Sequence, residues 1–492
     1  MQNLVQKTTY FPPSASSKGL VAAADGTPLP AAVKQVLVDL LGEKSLREPQ
    51  SQSIDGTVFE VLTQLLPSMP SRAEFWWNRL GKSFASMMET GVFPVAVQAR
   101  FLIFIYARVI GFMGPDDKSV GPGSIMTSEG CPVELSWVIP NRSKPRAGEV
   151  SRQLRFCIEP RDPETGALFK GASILKYLTG AEGSLGVVSC HDLGLDWPTK
   201  TENYLFPGDE GEAAPMGSRF FVGFDFHPKG AITLKAYYVT AFCPPTNQMQ
   251  VATDTDGKPL DKLVAQLHPT LSQPFEAVKT YIQSIDGPRR PYAGIAAMDC
   301  VEPDVNRLKI YLHRHEGTAW SEARAGFTLN DALADRPNVA AGLEKLELLW
   351  NLLFPDATSK KNIDLPEVAV PVSASGDDRP AQPSIGLLFY YELYSNDNIV
   401  YPKIYLPVRT YCKSDLAICE AVEKFYNEIG VEGPGGGEQG QGWVAREVAK
   451  SYAHRKLDAR SGIITYVTVG AKKGGWEVTM YFTPEPWAAE RK

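Results

Sequence analysis

Arg307-Leu308-Lys309-Ile310-Tyr311 places charge and phenol on one side of a strand and hydrocarbon on the other. Side chains along a strand alternate faces, so Arg307, Lys309 and Tyr311 share one side while Leu308, Ile310 and Leu312 share the other. The apolar side has to pack, and helices are the natural cover. The cationic and phenolic side has to look into a wet or ligand-filled space. The same grammar recurs at Lys235-Ala236-Tyr237 and at Lys403-Ile404-Tyr405. A looser version spreads Tyr466, Lys472 and Tyr481 over residues 464–482. Four separated stretches with Lys or Arg beside Tyr point to one cavity lined by cations and phenols.

Composition narrows what that cavity serves. The net charge of −6 makes these cations a local feature, which argues against a nucleic-acid binder with its basic footprint. The greasiest run, Phe101 to Ala107, is closed by Arg108 and falls short of the roughly 20 residues a membrane span takes, so it reads as a buried helix. No apolar signal core opens the chain, and the expectation is a cytoplasmic protein without a membrane partner. Seven cysteines stand singly, with no CxxC pair, as reduced and mostly buried thiols do.

Along the chain, residues 1–30 are rich in Pro, Ser, Ala and Gly and read as a loose arm, leaving 31–485 as one domain. Helical periodicity runs through residues 32–44, 58–66, 73–91 and 95–114. From about Val133 the texture turns strand-like, with hairpin signals at His227-Pro-Lys-Gly230 and Lys472-Lys-Gly-Gly475. Helical stretches return between the strand pairs, at residues 260–283, 340–354 and 416–430. The unit is helices followed by two antiparallel strands, repeated, which predicts a closed antiparallel sheet covered outside by helices. Two insertions interrupt it, at 357–383 and at the glycine-rich 430–442, which lacks the Lys-Ser/Thr ending of a phosphate loop.

With those residues quoted, the chain resembles the fungal aromatic prenyltransferases of the dimethylallyltryptophan synthase family. The similarity runs from residue 74 to 485, through Trp76-Trp77, Pro132-Val-Glu-Leu-Ser-Trp137, Leu154-Arg-Phe-Cys-Ile158, the Lys-x-Tyr stretches and the closing Tyr466–Tyr481 segment. The resemblance implies an α+β fold: a ten-stranded antiparallel β-barrel ringed by α-helices, built from ααββ units. It implies alkyl transfer from dimethylallyl diphosphate, as co-substrate, to an electron-rich aromatic acceptor, an indole before a phenol or polyketide. No metal or other cofactor is expected, and a homodimer is left open.

Carried over position by position, the acidic residue falls on Glu134. Diphosphate-binding cations fall on Arg155, Lys235, Arg307, Lys309 and Lys472, with Lys403 beside them. The aromatic shield falls on Tyr237, Tyr311, Tyr405, Tyr466 and Tyr481. Two positions depart from the pattern. The strand Arg219-Phe-Phe-Val-Gly-Phe-Asp-Phe226 has no lysine where members that alkylate the benzene ring of tryptophan carry a lysine base, and Val239 stands where some members have a further tyrosine.

The residue types suit the chemistry. Loosening the bond from an allyl carbon to diphosphate leaves a carbocation and a multiply charged anion. Metal-dependent prenyl enzymes hold that anion through an aspartate-rich motif; here Asp116-Asp117 and Asp377-Asp378 are the nearest approach, both in loop-like sequence. Each fixed charge pair at about 4 Å is worth roughly 4 kcal/mol at an effective dielectric of 20, so several strand-borne cations can take the metal's place. Tyrosine faces stabilise a neighbouring cation by about 0.5–2 kcal/mol and exclude the water that would quench it. A carboxylate at Glu134 would accept an indole N–H, with a salt bridge to Arg155 as its structural alternative. His313 and His315 continue the Arg307 face without a third metal ligand nearby, and His227 reads as a turn residue. Leu388, Phe389 and Trp137 are candidates for the acceptor's surroundings.

Overall fold

A computed structural model describes residues 28–47, 56–121, 123–139, 152–188, 193–206, 218–239, 241–242, 250–251, 258–314, 316–367, 386–431 and 442–491. The expected arm through Thr27, the insertion from Val368 onward, Asp377-Asp378 and most of the glycine-rich loop lie outside the described residues. The first helix, Leu29–Leu41, starts two residues inside the segment read as arm. Pro30 in its first turn explains the early start, since proline there lacks only an N–H that would go unpaired anyway.

Ten strands close into one antiparallel barrel. They are β1 (Val133–Ile139), β2 (Gln153–Ile158), β3 (Phe220–Phe226), β4 (Ile232–Val239), β5 (Tyr292–Asp299), β6 (Arg307–His313), β7 (Leu388–Tyr394), β8 (Val400–Leu406), β9 (Ile464–Lys472) and β10 (Gly475–Phe482). Every strand pairs with its neighbours in sequence, and β1 pairs with β10 to shut the cylinder, so no edge of this sheet is left open. Helices precede each hairpin: Val95–Phe104 before β1, Gly171–Thr179 and Asp196–Leu205 before β3, Ser272–Gln283 before β5, Pro337–Leu353 before β7, Asp415–Glu428 and Trp443–Ser451 before β9. That is the repeat expected from sequence.

The barrel separates two apolar regions. Outward-facing Leu308, Ile310 and Leu312 belong to the main core between strands and helices. The greasy helix running from Val95 to Phe112 is long and apolar enough for a membrane by composition, yet Phe101 through Ile105 are fully buried, with Phe101 packed on Phe226 and Phe104 on Phe224. A second, smaller cluster fills the lumen: Ala297, Tyr311, Leu388, Tyr390 and Tyr405, with Tyr237, Ile295, Tyr466 and Tyr481 against it.

Register sorts the acceptor candidates. Leu388 pairs with Tyr405 and faces inward, but Phe389 and Trp137 do not. Phe389 shares the parity of Tyr391, and its ring occupies the space a side chain at Gly326 would need. Trp137 shares the parity of Leu135 and packs on Phe482 in the outer core. Both are corrected from lining residues to core residues, for the period-two reason that put Leu388 inside.

Candidate active site

All six expected cations project from lumen-facing positions of β2, β4, β6, β8 and β9, and none stands alone. Arg155 meets Asp225 at 3.2 Å, and Lys235 reaches the other oxygen of the same carboxylate at 2.5 Å. Arg307 pairs with Asp299 at 2.9 Å and with Glu392 at 3.2 Å. Lys309 has Asp299 at 3.7 Å. Lys403 donates to Glu477 at 3.2 Å and to the Thr479 hydroxyl at 2.9 Å. Lys472 meets Glu392 at 2.8 Å and Glu477 at 3.5 Å.

Six cations thus interleave with four carboxylates, leaving two formal positive charges in a closed space. Sequence reading noted Asp225 without a role and passed over Asp299, Glu392 and Glu477. A signal was present. Each has the parity of the lumen cations, as Leu388-Phe-Tyr-Tyr-Glu392 shows by alternation from Leu388. The same alternation places Tyr390 in the lumen, a sixth phenol that sequence reading missed.

Burial disfavours every one of these charges, and neighbours decide which survive. Burial opposes the Asp225 carboxylate, but Arg155 and Lys235 hold it well below the usual range. Burial likewise opposes Glu392 and Glu477, and lysine and arginine neighbours keep both ionised. The amines have less help. Burial, then Arg307 and Lys235, push Lys309 well below an ordinary lysine. Burial brings Lys403 down to about 7, against the pull of Glu477 and with a further push from Lys472. Burial therefore withholds part of the lumen's cationic power.

Above the cations lies a belt of rings. Tyr237 neighbours Tyr311 at 6.2 Å between centroids, Tyr311 meets Tyr390 at 5.1 Å and Tyr405 at 6.1 Å, and Tyr405 meets Tyr466 at 5.6 Å and Tyr481 at 5.1 Å. The Tyr405 and Tyr481 hydroxyls share a hydrogen bond of 3.0 Å. Lys403 sits 5.6–5.9 Å from the ring centres of Tyr390, Tyr405 and Tyr481, which ties the two layers together. Burial raises the phenols, so they stay neutral and can donate.

Glu134 stands apart from the cation lattice. Its Oε1 accepts from the Thr465 hydroxyl at 2.8 Å, whereas Arg155 is taken by Asp225 and Gln153, so the salt-bridge alternative is not what forms. Burial lifts its carboxyl to about 8; the Thr465 hydrogen bond works against the rise and the Glu129 carboxylate adds to it. Two strands along, Gly223 lies between Cys157 and Lys235 in register, and the edge of the Tyr237 ring covers it. A side chain there would meet that ring at 2.9 Å, so this position is built for a phenol lying across bare backbone. Among the described residues, no three His, Cys, Asp or Glu side chains are grouped to hold a metal ion. His313 stacks on Tyr292, His227 bonds Thr233 at the β3–β4 turn, and His315 lies outside the described residues.

The sequence profile of the tryptophan dimethylallyltransferases matches residues 72–436, most of the chain. The chain belongs to this family. Among members of the tryptophan dimethylallyltransferase family, it is 26% identical to the 7-dimethylallyltryptophan synthase of Aspergillus fumigatus, over 87% of this chain and 88% of the relative. It is also 26% identical to the 4-O-dimethylallyl-L-tyrosine synthase of Claviceps purpurea, over 84% and 88%. The crystal structure of NotF in complex with brevianamide F and DMSPP superposes with a TM-score of 0.64 at 20% identity, covering 85% of this chain and 96% of that one. At that identity the likeness speaks for the fold, the helix-ringed ten-stranded barrel that the family resemblance implied.

Proposed function

We propose that this protein transfers a dimethylallyl group from dimethylallyl diphosphate to an electron-rich aromatic ring, an indole in the first place, without a metal. The observation that carries the proposal is the stacking of two layers in one lumen: six paired cations below, six phenols above, with Glu134 beyond. The cations receive the diphosphate as the carbon–oxygen bond breaks. Their contribution grows as negative charge collects on the leaving group, which is how fixed charges favour a transition state. The phenol belt faces the allyl cation, stabilises it through ring faces and keeps water away. A ring carbon of the acceptor then bonds to the allyl carbon, and the displaced proton leaves to a base.

Glu134 is proposed to accept the N–H of the indole. With a carboxyl lifted to about 8, it enters as a neutral group below that pH. An N–H donor and the positive charge that spreads over the ring both favour the carboxylate, so acceptor binding lowers this value and the carboxyl proton is released to solvent before the ring is alkylated. The product name of the Aspergillus relative supports an indole acceptor. A phenol acceptor remains a second reading, because a relative at the same identity is named for a tyrosine ether. The described free cysteines, all without disulfides, support a cytoplasmic setting.

The test is direct. Purified protein is incubated in EDTA with dimethylallyl diphosphate and parallel indole and phenol acceptors, and products are weighed by mass spectrometry. A gain of one prenyl unit on the indole is expected. Product on the phenol alone would select the second reading, loss of product in EDTA would end metal independence, and binding without any product would make the barrel a receptor.

A further inference from the structure

A site built only to attract an anion gains nothing from a buried carboxylate, yet Glu392 sits among the donor cations almost wholly buried. Its Oε1 accepts from Lys472 Nζ at 2.8 Å, Arg307 Nη1 at 3.2 Å and the Tyr390 hydroxyl at 3.2 Å. Its Oε2 accepts from the Tyr394 hydroxyl at 3.2 Å, and Tyr394 also receives Arg307 Nη1 at 3.2 Å. These partners come from β6, β7 and β9, so one side chain gathers groups from three strands. Buried charge of this kind is costly unless it is paired and hydrogen-bonded, and here both oxygens are engaged. Electrostatically, Glu392 opposes the diphosphate. Geometrically, it decides where two of its cations and two phenols stand.

We propose that Glu392 is a positioning residue for the donor, setting Arg307, Lys472 and the Tyr390 hydroxyl as one comb that meets the diphosphate together. The inference rests on the donor site proposed above. It separates two quantities that a simple binding residue moves together. Removing the negative charge leaves the lumen more cationic, so ground-state affinity for the anion holds or improves. What is lost is the fixed arrangement that matters as charge develops on the leaving oxygen.

The experiment compares wild type with Glu392→Gln, Glu392→Asp and Tyr394→Phe. It measures kcat, the KM for dimethylallyl diphosphate and the Kd for dimethylallyl thiolodiphosphate by calorimetry. Glu392→Gln is expected to keep Kd within threefold of wild type, or tighter, while kcat falls at least tenfold. Glu392→Asp restores the charge one methylene short of its partners and stays slow. Should the Gln variant not fold, Tyr394→Phe frees Oε2 alone and is expected to show the same split, with kcat down threefold or more at unchanged Kd. A Kd weakened tenfold with kcat intact would overturn the positioning role. So would a lowered melting temperature with both constants intact, the signature of a purely structural ion pair. If wild type neither binds the thiolodiphosphate nor forms product, the donor site itself fails; a wild type that does both isolates the failure to Glu392.

Discussion

Lys403 makes the charge that burial withholds measurable. Its ammonium would face Glu477, Thr479, Lys472, Arg155 and the Tyr390, Tyr405 and Tyr481 rings, and burial brings it down to about 7. At pH 8 a group titrating near 7 is only about one-tenth protonated. A diphosphate beside it supplies the opposite charge that burial withheld and returns it to the ordinary lysine range. Donor binding at pH 8 should therefore draw roughly 0.9 proton onto Lys403.

The sign follows from where the proton sits. Below about pH 7 Lys403 is already charged and affinity is full; as pH rises above that, binding must first recruit a proton, and affinity falls. The slope is about 1.4 kcal/mol, or tenfold, per pH unit for each proton taken up. Calorimetry with dimethylallyl thiolodiphosphate in buffers of differing ionisation enthalpy reads the uptake, once the ligand's own titration in free solution is subtracted. Uptake at pH 8 should exceed that at pH 6 by roughly 0.8 proton, and Lys403→Met should remove that difference. A wild-type uptake near zero at pH 8 would mean that Glu477 and Thr479 outweigh burial and that the lattice is fully charged before the donor arrives.

Glu134→Gln should leave thiolodiphosphate affinity within twofold and lower turnover on an indole by orders of magnitude; a parallel loss of donor binding would make Glu134 structural. The same variant has a stability signature. A folded-state value near 8 against an ordinary 4.5 means the native barrel holds a proton that the unfolded chain releases, so wild type loses stability as pH rises across that window. Melting temperatures should coincide at pH 4 and favour the Gln variant at pH 8. Replacing Tyr311 or Tyr405 by Ala should raise the fraction of donor released as prenyl alcohol, measured against prenylated product, because water then reaches the cation. Gly223→Ala would put a methyl 2.9 Å from the Tyr237 ring and should raise alcohol release several-fold without moving the melting temperature of the barrel by more than a few degrees; unchanged partitioning would remove Tyr237 from the shield.

Much of the barrel was readable because strand parity is local. The alternation in Arg307-Leu-Lys-Ile-Tyr311 declares its two faces without reference to any other strand, and the helix–hairpin repeat follows from periodicities no longer than a helical turn. By the same means every expected cation and phenol could be assigned to the inside. Phe389 and Trp137 were misplaced where parity was not applied to its end, and Glu392 was missed because a carboxylate is unexpected in a lumen read from its cations. Other facts lie beyond any local rule. That Lys403 lands between Glu477 and three rings, that Glu134 finds Thr465 and not Arg155, and that a single oxygen of Glu392 gathers two cations and a phenol are products of closure and register. Those set which distant strands adjoin and at what height, and hence which charges the buried lumen keeps.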